Sequence, residues 1–93
     1  MSPKPPNRTV VVSRPSGLHA RPCLAIVNTV RRFQAKVQLR RGEETADADQ
    51  ILQLMALGAP QGTELVLSAS GPDADEALDA LERLFADNFG LGE

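Results

Sequence analysis

Hydrophobic positions along the chain fall in short patterned runs separated by proline and glycine. Residues 8–14 (RTVVVSR) form a brief β-branched run that predicts a strand, which Pro15-Ser16-Gly17 ends. From residue 20 to 33, Cys23, Ile26, Val27, Val30 and Phe33 recur at three- and four-residue spacing, the stripe of a helix with Pro22 in its first turn. Residues 35–41 alternate, Val37 and Leu39 facing one way and Lys36 and Gln38 the other, which predicts a half-buried strand. Gly42 suits a tight turn, and residues 43–48 are expected to return as a short antiparallel strand. Asp49 then stands as the cap of a brief helix over 50–57, stopped at Gly58. Residues 62–70 (GTELVLSAS) predict another strand. Gly71-Pro72 turns it, Asp73 is placed to cap, and Ala77, Leu78, Leu81, Leu84 and Phe85 stripe a last helix over 74–87.

The order β-α-β-β-α-β-α contains a hairpin between its second and third strands, so the sheet cannot be all parallel. The pattern predicts an α+β fold, a four-stranded mostly antiparallel sheet with three helices on one face. At 93 residues the chain makes one small domain, read as 8–93, behind a Pro-rich leader over 1–7. No long uncharged apolar run predicts a membrane span, and no hydrophobic segment follows the leader, so a cytoplasmic address with no membrane insertion is expected. One cysteine makes no intramolecular disulfide and no thiolate-rich metal site. Neither a metal nor a cofactor is expected, and the protein is expected to act as a monomer.

Charge changes the picture more than composition does. Residues 1–42 hold nine of the ten basic residues and no acid, whereas residues 43–93 hold all twelve acids and Arg83. Such asymmetry fits an anionic partner for the basic half, or two halves that fold against each other and mingle their charges. A nucleic-acid-binding module is one reading of the basic half. The lack of Trp and Tyr, the three Phe and the net charge of −2 weigh against it.

Candidate chemistry gathers around the single histidine, in the string Pro15-Ser16-Gly17-Leu18-His19-Ala20-Arg21-Pro22. His19 stands where a loop enters a helix, an end that offers free backbone N–H groups and positive dipole character to an anion. Arg21 adds a planar donor fork suited to phosphate, and a neutral imidazole nitrogen is a nucleophile. The constellation suits a histidine that accepts and returns a phosphoryl group; a plain cap of the helix is the structural alternative. Cys23 follows four residues later and can share a helix face with His19. With no third ligand or triad member in sight, its expected role is burial as a small apolar group.

The string Gly17-Leu18-His19-Ala20-Arg21-Pro22 resembles the active-site motif of HPr, the histidine-containing phosphocarrier family of the bacterial phosphotransferase system. The likeness runs over about residues 8–92: the element order, the Leu57-Gly58 helix end, the strand exit at Ser68-Ala69-Ser70-Gly71 and the closing helix. The resemblance implies a phosphoryl carrier rather than an enzyme. His19 would accept the group at Nδ1 from phosphorylated enzyme I and pass it to a downstream protein of a sugar-uptake relay. Arg21 would steady the phosphate, Ser16 and Gly17 would shape the loop, and Pro22 and Cys23 would form the first turn. The short second helix would meet enzyme I through Ile51, Leu52 and Met55, leaving Leu54 and Leu57 to the core, with Arg31 and Arg32 bordering that face. A nitrogen-related or regulatory paralogue is the alternative within the family. Many Gram-positive members carry a kinase-targeted serine at the start of that helix, and the register from Leu57-Gly58 puts Gln50 there, which has no hydroxyl to phosphorylate.

Overall fold

A computed structural model describes residues 7–91 of the chain; most of the leader, residues 1–6, lies outside them. The elements are β1 (Asn7–Val11), α1 (Ala20–Val30), β2 (Lys36–Arg41), β3 (Glu44–Asp47), α2 (Ile51–Ala56), β4 (Glu64–Ser70) and α3 (Ala74–Ala86), followed by a 3₁₀ turn over Asn88–Gly90. Every strand pair is antiparallel, in the spatial order β1-β4-β2-β3. The predicted order of elements and the open-faced α+β architecture are those observed.

Period-two alternation decides which face of the sheet is covered. Val10, Val37, Leu39, Ala46, Leu65, Leu67 and Ala69 point to one side and are buried, while Lys36, Gln38, Arg40 and Glu44 face away and are exposed. Leu39 of β2 pairs with Leu67 of β4 on one flank and Ala46 of β3 on the other, so three strands contribute neighbouring apolar side chains. Over this row lie Cys23, Ile26, Val27 and Val30 of α1, Leu54 of α2, and Ala77, Leu78, Leu81 and Phe85 of α3, all in one buried cluster. Leu84 and Phe33, expected in the stripes, are only partly buried at its margin.

Several boundaries differ from the sequence reading, each for a local reason. Asn7, assigned to the leader, is the first residue of β1 and pairs with Ser68. β1 stops at Val11 rather than residue 14 because Arg14 to Gly17 makes a turn, with the Gly17 N–H donating to the Arg14 carbonyl at 3.0 Å. α1 ends at Val30, three residues early. There the N–H groups of Arg32 and Phe33 switch to the carbonyls three residues back, tightening the last turn. α2 is shorter than expected, and its N-cap is Gln50 rather than Asp49, with no side-chain cap bond. Asp73 is the N-cap residue of α3, yet its carboxylate serves elsewhere. It accepts from the backbone N–H of Gln34 at 2.9 Å and of Ala35 at 2.8 Å, tying the α1–β2 connection to the start of α3.

Part of the charge asymmetry is resolved inside the molecule. Arg8 reaches from β1 to α3, donating to Asp79 at 2.7 Å and to Glu82, with Asp75 at 3.6 Å. Arg41 donates to the carbonyls of Leu57 and Gly58 at 2.7 and 2.9 Å, capping the C-terminal end of α2 with a cation.

Candidate functional site

The loop that carries the histidine is fastened to the segment before β4. Val12 donates to Thr63 O at 2.9 Å and accepts from Gly62 N at 2.7 Å. Gln61 Nε2 donates to Ser13 O at 3.2 Å, and Leu18 N donates to Ala59 O at 2.8 Å. Gly17 allows the closest approach. Its φ is +71°, and a Cβ there would lie 2.7 Å from the Ala59 carbonyl oxygen. Only glycine meets both the left-handed backbone and the lack of room. Ser16, beside it, is exposed at the loop's tip.

His19 follows as the N-cap residue of α1, in extended conformation, and its carbonyl accepts the first helical bond from Cys23 N at 3.1 Å. Its side chain makes no capping bond. The plain cap therefore fails as an account of this histidine. The half-exposed ring instead turns its Nε2 toward Nη2 of Arg14, 3.4 Å away. No acid lies in the first turn of α1, so nothing there neutralises the positive end of the helix.

Arg21 is exposed in the first turn and makes no ion pair among the described residues. Pro22 and Cys23 are buried, so they shape the turn from beneath and present no surface. The Cys23 thiol donates weakly to Leu18 O at 3.7 Å, and burial pushes it up from its ordinary 9.0 to about 11. A thiol held protonated is neither a nucleophile nor a metal ligand. No group of three metal-ligating side chains exists among the described residues.

α2 packs beside α1. Leu54 and Leu57 enter the core as expected, at 0 % and 3 % exposure. Ile51 is half-buried against that core, whereas Leu52 is 77 % and Met55 41 % exposed. Leu24 of α1, 49 % exposed, belongs to the same class of outward apolar residue and was missed in the sequence reading. Helical spacing could have found it: Leu24 lies off the Cys23-Ile26-Val27-Val30 stripe, three residues after Arg21 and four before Asn28. Arg31 and Arg32 are exposed just beyond the far end of α1.

Arg14 was also missed. The sequence reading made it the polar end of a strand, yet it is 2 % exposed, the one buried charged side chain among the described residues. The signal was the alternation itself: Val10, Val12 and Arg14 are all buried, two residues apart.

Comparison with known proteins converges on one family. A family sequence model described as the PTS HPr component phosphorylation site matches residues 6–87. The phosphocarrier protein HPr of Treponema pallidum is 43 % identical over 88 % of this chain and 93 % of its own length. The phosphocarrier protein NPr of Proteus mirabilis is 37 % identical over 88 % and 92 %. Among solved structures, HPr-C-His from Thermoanaerobacter tengcongensis superposes with a TM-score of 0.89 at 33 % identity, covering 95 % of this chain and 99 % of that one.

Proposed function

The chain belongs to the HPr family of phosphocarrier proteins of the phosphotransferase system, and from that premise we propose that His19 is the residue that takes and returns the phosphoryl group. The observation that carries this reading is the placement of the ring: half-exposed, at the N-terminal end of α1, and unused as a cap. A carrier needs its group held moderately and left within a partner's reach. The uncompensated helix start and the exposed Arg21 supply positive character to the phosphoryl oxygens, and no wall encloses them.

Phosphorylated enzyme I is the proposed donor, and a downstream protein with its own acceptor residue the proposed recipient. Leu24, Leu52 and Met55 offer exposed apolar contacts on the two adjacent helices, and Arg21, Arg31 and Arg32 offer charge to an acidic partner surface. A nucleic-acid role draws little from the basic half, because three of its nine bases are engaged internally: Arg8 with α3, Arg14 beside His19 and Arg41 at the end of α2. Among the described residues no helix is long and apolar enough to cross a membrane, and the proposed setting is the cytoplasm, where a phosphotransferase relay operates. A regulatory or nitrogen-related paralogue is the second reading, which the likeness to a protein named NPr favours. Exposed Gln50 at the start of α2 offers no hydroxyl to a serine kinase in either case.

The deciding experiment incubates the protein with enzyme I and labelled phosphoenolpyruvate. One acid-labile phosphate per chain is expected, lost in His19→Ala while the fold persists. Acid-labile label retained in that variant would place the acceptor elsewhere.

A further inference from the structure

Two-electron oxidants find few targets in this chain. It has no Trp or Tyr, one cysteine and two methionines, of which Met1 lies outside the described residues. The cysteine is withheld. Cys23 is fully buried, and burial pushes its thiol up to about 11, so neither access nor the reactive thiolate is on offer to a peroxide. Met55 is the opposite case. Its thioether is exposed, and a thioether reacts without first losing a proton.

The position of that sulfur gives its oxidation a consequence. α2 turns Leu54 into the buried cluster and packs Ile51 at the margin, and the core takes Leu57 just beyond its end. Met55 belongs to neither group. It follows Leu52 by three residues, so the two share the outward face of the helix. Support for α2 comes from elsewhere, from Leu54 beneath and from Arg41 on the carbonyls of Leu57 and Gly58. A chemical change at the Met55 sulfur therefore alters the surface and leaves the fold in place.

We propose that Met55 is a site of reversible oxidation by peroxides, and that its sulfoxide weakens the docking of enzyme I on α2. The inference rests on the reading that Leu24, Leu52 and Met55 meet enzyme I. In the step, the sulfur lone pair attacks one oxygen of hydrogen peroxide. A sulfur–oxygen bond forms as the oxygen–oxygen bond breaks, and the departing hydroxide takes the proton of the transferred oxygen and leaves as water. Sulfur is oxidised by two electrons and the peroxide is reduced by two. Reversal by methionine sulfoxide reductases draws two electrons from a pair of thiols, returning the thioether, a disulfide and water.

The thioether is apolar and adapts its shape to a partner, whereas the sulfoxide carries an oxygen that accepts hydrogen bonds from water. An apolar partner surface strips that water without replacing its bonds, so docking loses an attractive contact and acquires a desolvation cost. His19 and Arg21 are chemically unchanged. The oxidised carrier keeps its acceptor and loses its grip on the donor.

The test treats the folded protein with hydrogen peroxide, removes the peroxide with catalase, and then adds fresh enzyme I in limiting amount with labelled phosphoenolpyruvate. Peptide mass analysis should place one added oxygen on Met55 and none on Cys23. Uptake should fall severalfold with the unfolding midpoint unchanged, and methionine sulfoxide reductases with dithiothreitol should restore it. In Met55→Leu, uptake after peroxide should equal uptake before it, which excludes Met1 as the source. Met55 left unoxidised in the folded protein, or uptake that falls only as far as the unfolding midpoint does, overturns the proposal. So does full uptake by the Met55 sulfoxide; if Leu52→Lys still slows uptake, the docking face on α2 survives that result. Should Leu52→Lys also match the wild type, the docking reading itself fails.

Discussion

Single residues set the geometry of the loop, and Gly17 is the clearest case. Any other residue would bring a Cβ to 2.7 Å from the Ala59 oxygen, on a backbone at φ +71°. Gly17→Ala is therefore expected to cost about 1–3 kcal/mol, read as a lower midpoint in urea unfolding. It should also weaken the neighbouring Leu18–Ala59 hydrogen bond, visible as faster amide exchange at Leu18. Cys23 makes a second residue-scale prediction. With its thiol at about 11, it should resist alkylation at pH 8 in the folded protein and react readily in denaturant. The raised value also sets a sign. The thiol favours folding fully below its ordinary 9.0, and that contribution is lost as pH rises through about 11, so unfolding midpoints should fall over this alkaline window. The motif around His19 was legible in the sequence because its residues are local to one another. Arg14 was not, since its meaning depends on a carbonyl 74 positions away in sequence at Asn88.

Among the elements, strand alternation and helix stripes placed most core residues correctly, whereas ends and caps were less legible. Asp73 shows why. A carboxylate before a helix ordinarily serves that helix, and local sequence contains no hint that the Gln34 and Ala35 N–H groups will arrive. The buried Ala35 explains the need: its N–H is removed from bulk water and must find an acceptor. Gly71 helps, because Ala35 Cα lies only 2.9 Å from where a Cβ on that glycine would be. Asp73→Ala should therefore destabilise the fold by about 1–3 kcal/mol, chiefly through the orphaned Ala35 N–H. Thermal unfolding would measure the loss, and fast amide exchange confined to the α1–β2 connection and the start of α3 would identify its source. An effect no larger than that of an exposed Glu43→Ala control would argue against the tie. The six-residue α2 depends on tertiary support more than on propensity, with Leu54 in the core and Arg41 on its last carbonyls.

At the scale of the molecule, the segregation of charge along the chain becomes segregation of work. The acids of α3 engage Arg8 on β1, and α1 carries Arg21 but no acid. Arg21, Arg31, Arg32, Lys36 and Arg40 form no ion pair among the described residues. The net charge of −2 therefore conceals unpaired bases on α1, with Arg21 beside the histidine and Arg31 and Arg32 beyond the far end of the helix, while Lys36 and Arg40 lie on the open face of the sheet. Leu24, Leu52 and Met55 are exposed on α1 and α2. Exposed charges act over a Debye length of about 8 Å at physiological salt, so they govern encounter more than the lifetime of a docked pair. Phosphoryl uptake from a limiting amount of enzyme I should accordingly slow as salt rises. Arg21→Gln and Arg31→Gln should each lower the uptake rate and flatten its dependence on salt, while leaving the folding midpoint unchanged. Leu52→Lys should behave differently. It adds a charge of the steering sign but removes an apolar contact, so uptake should fall at every salt concentration with the fold intact. A rate that does not change between low and high salt in the wild type would remove the steering argument. A Leu52→Lys rate equal to wild type would place the partner's footprint off α2.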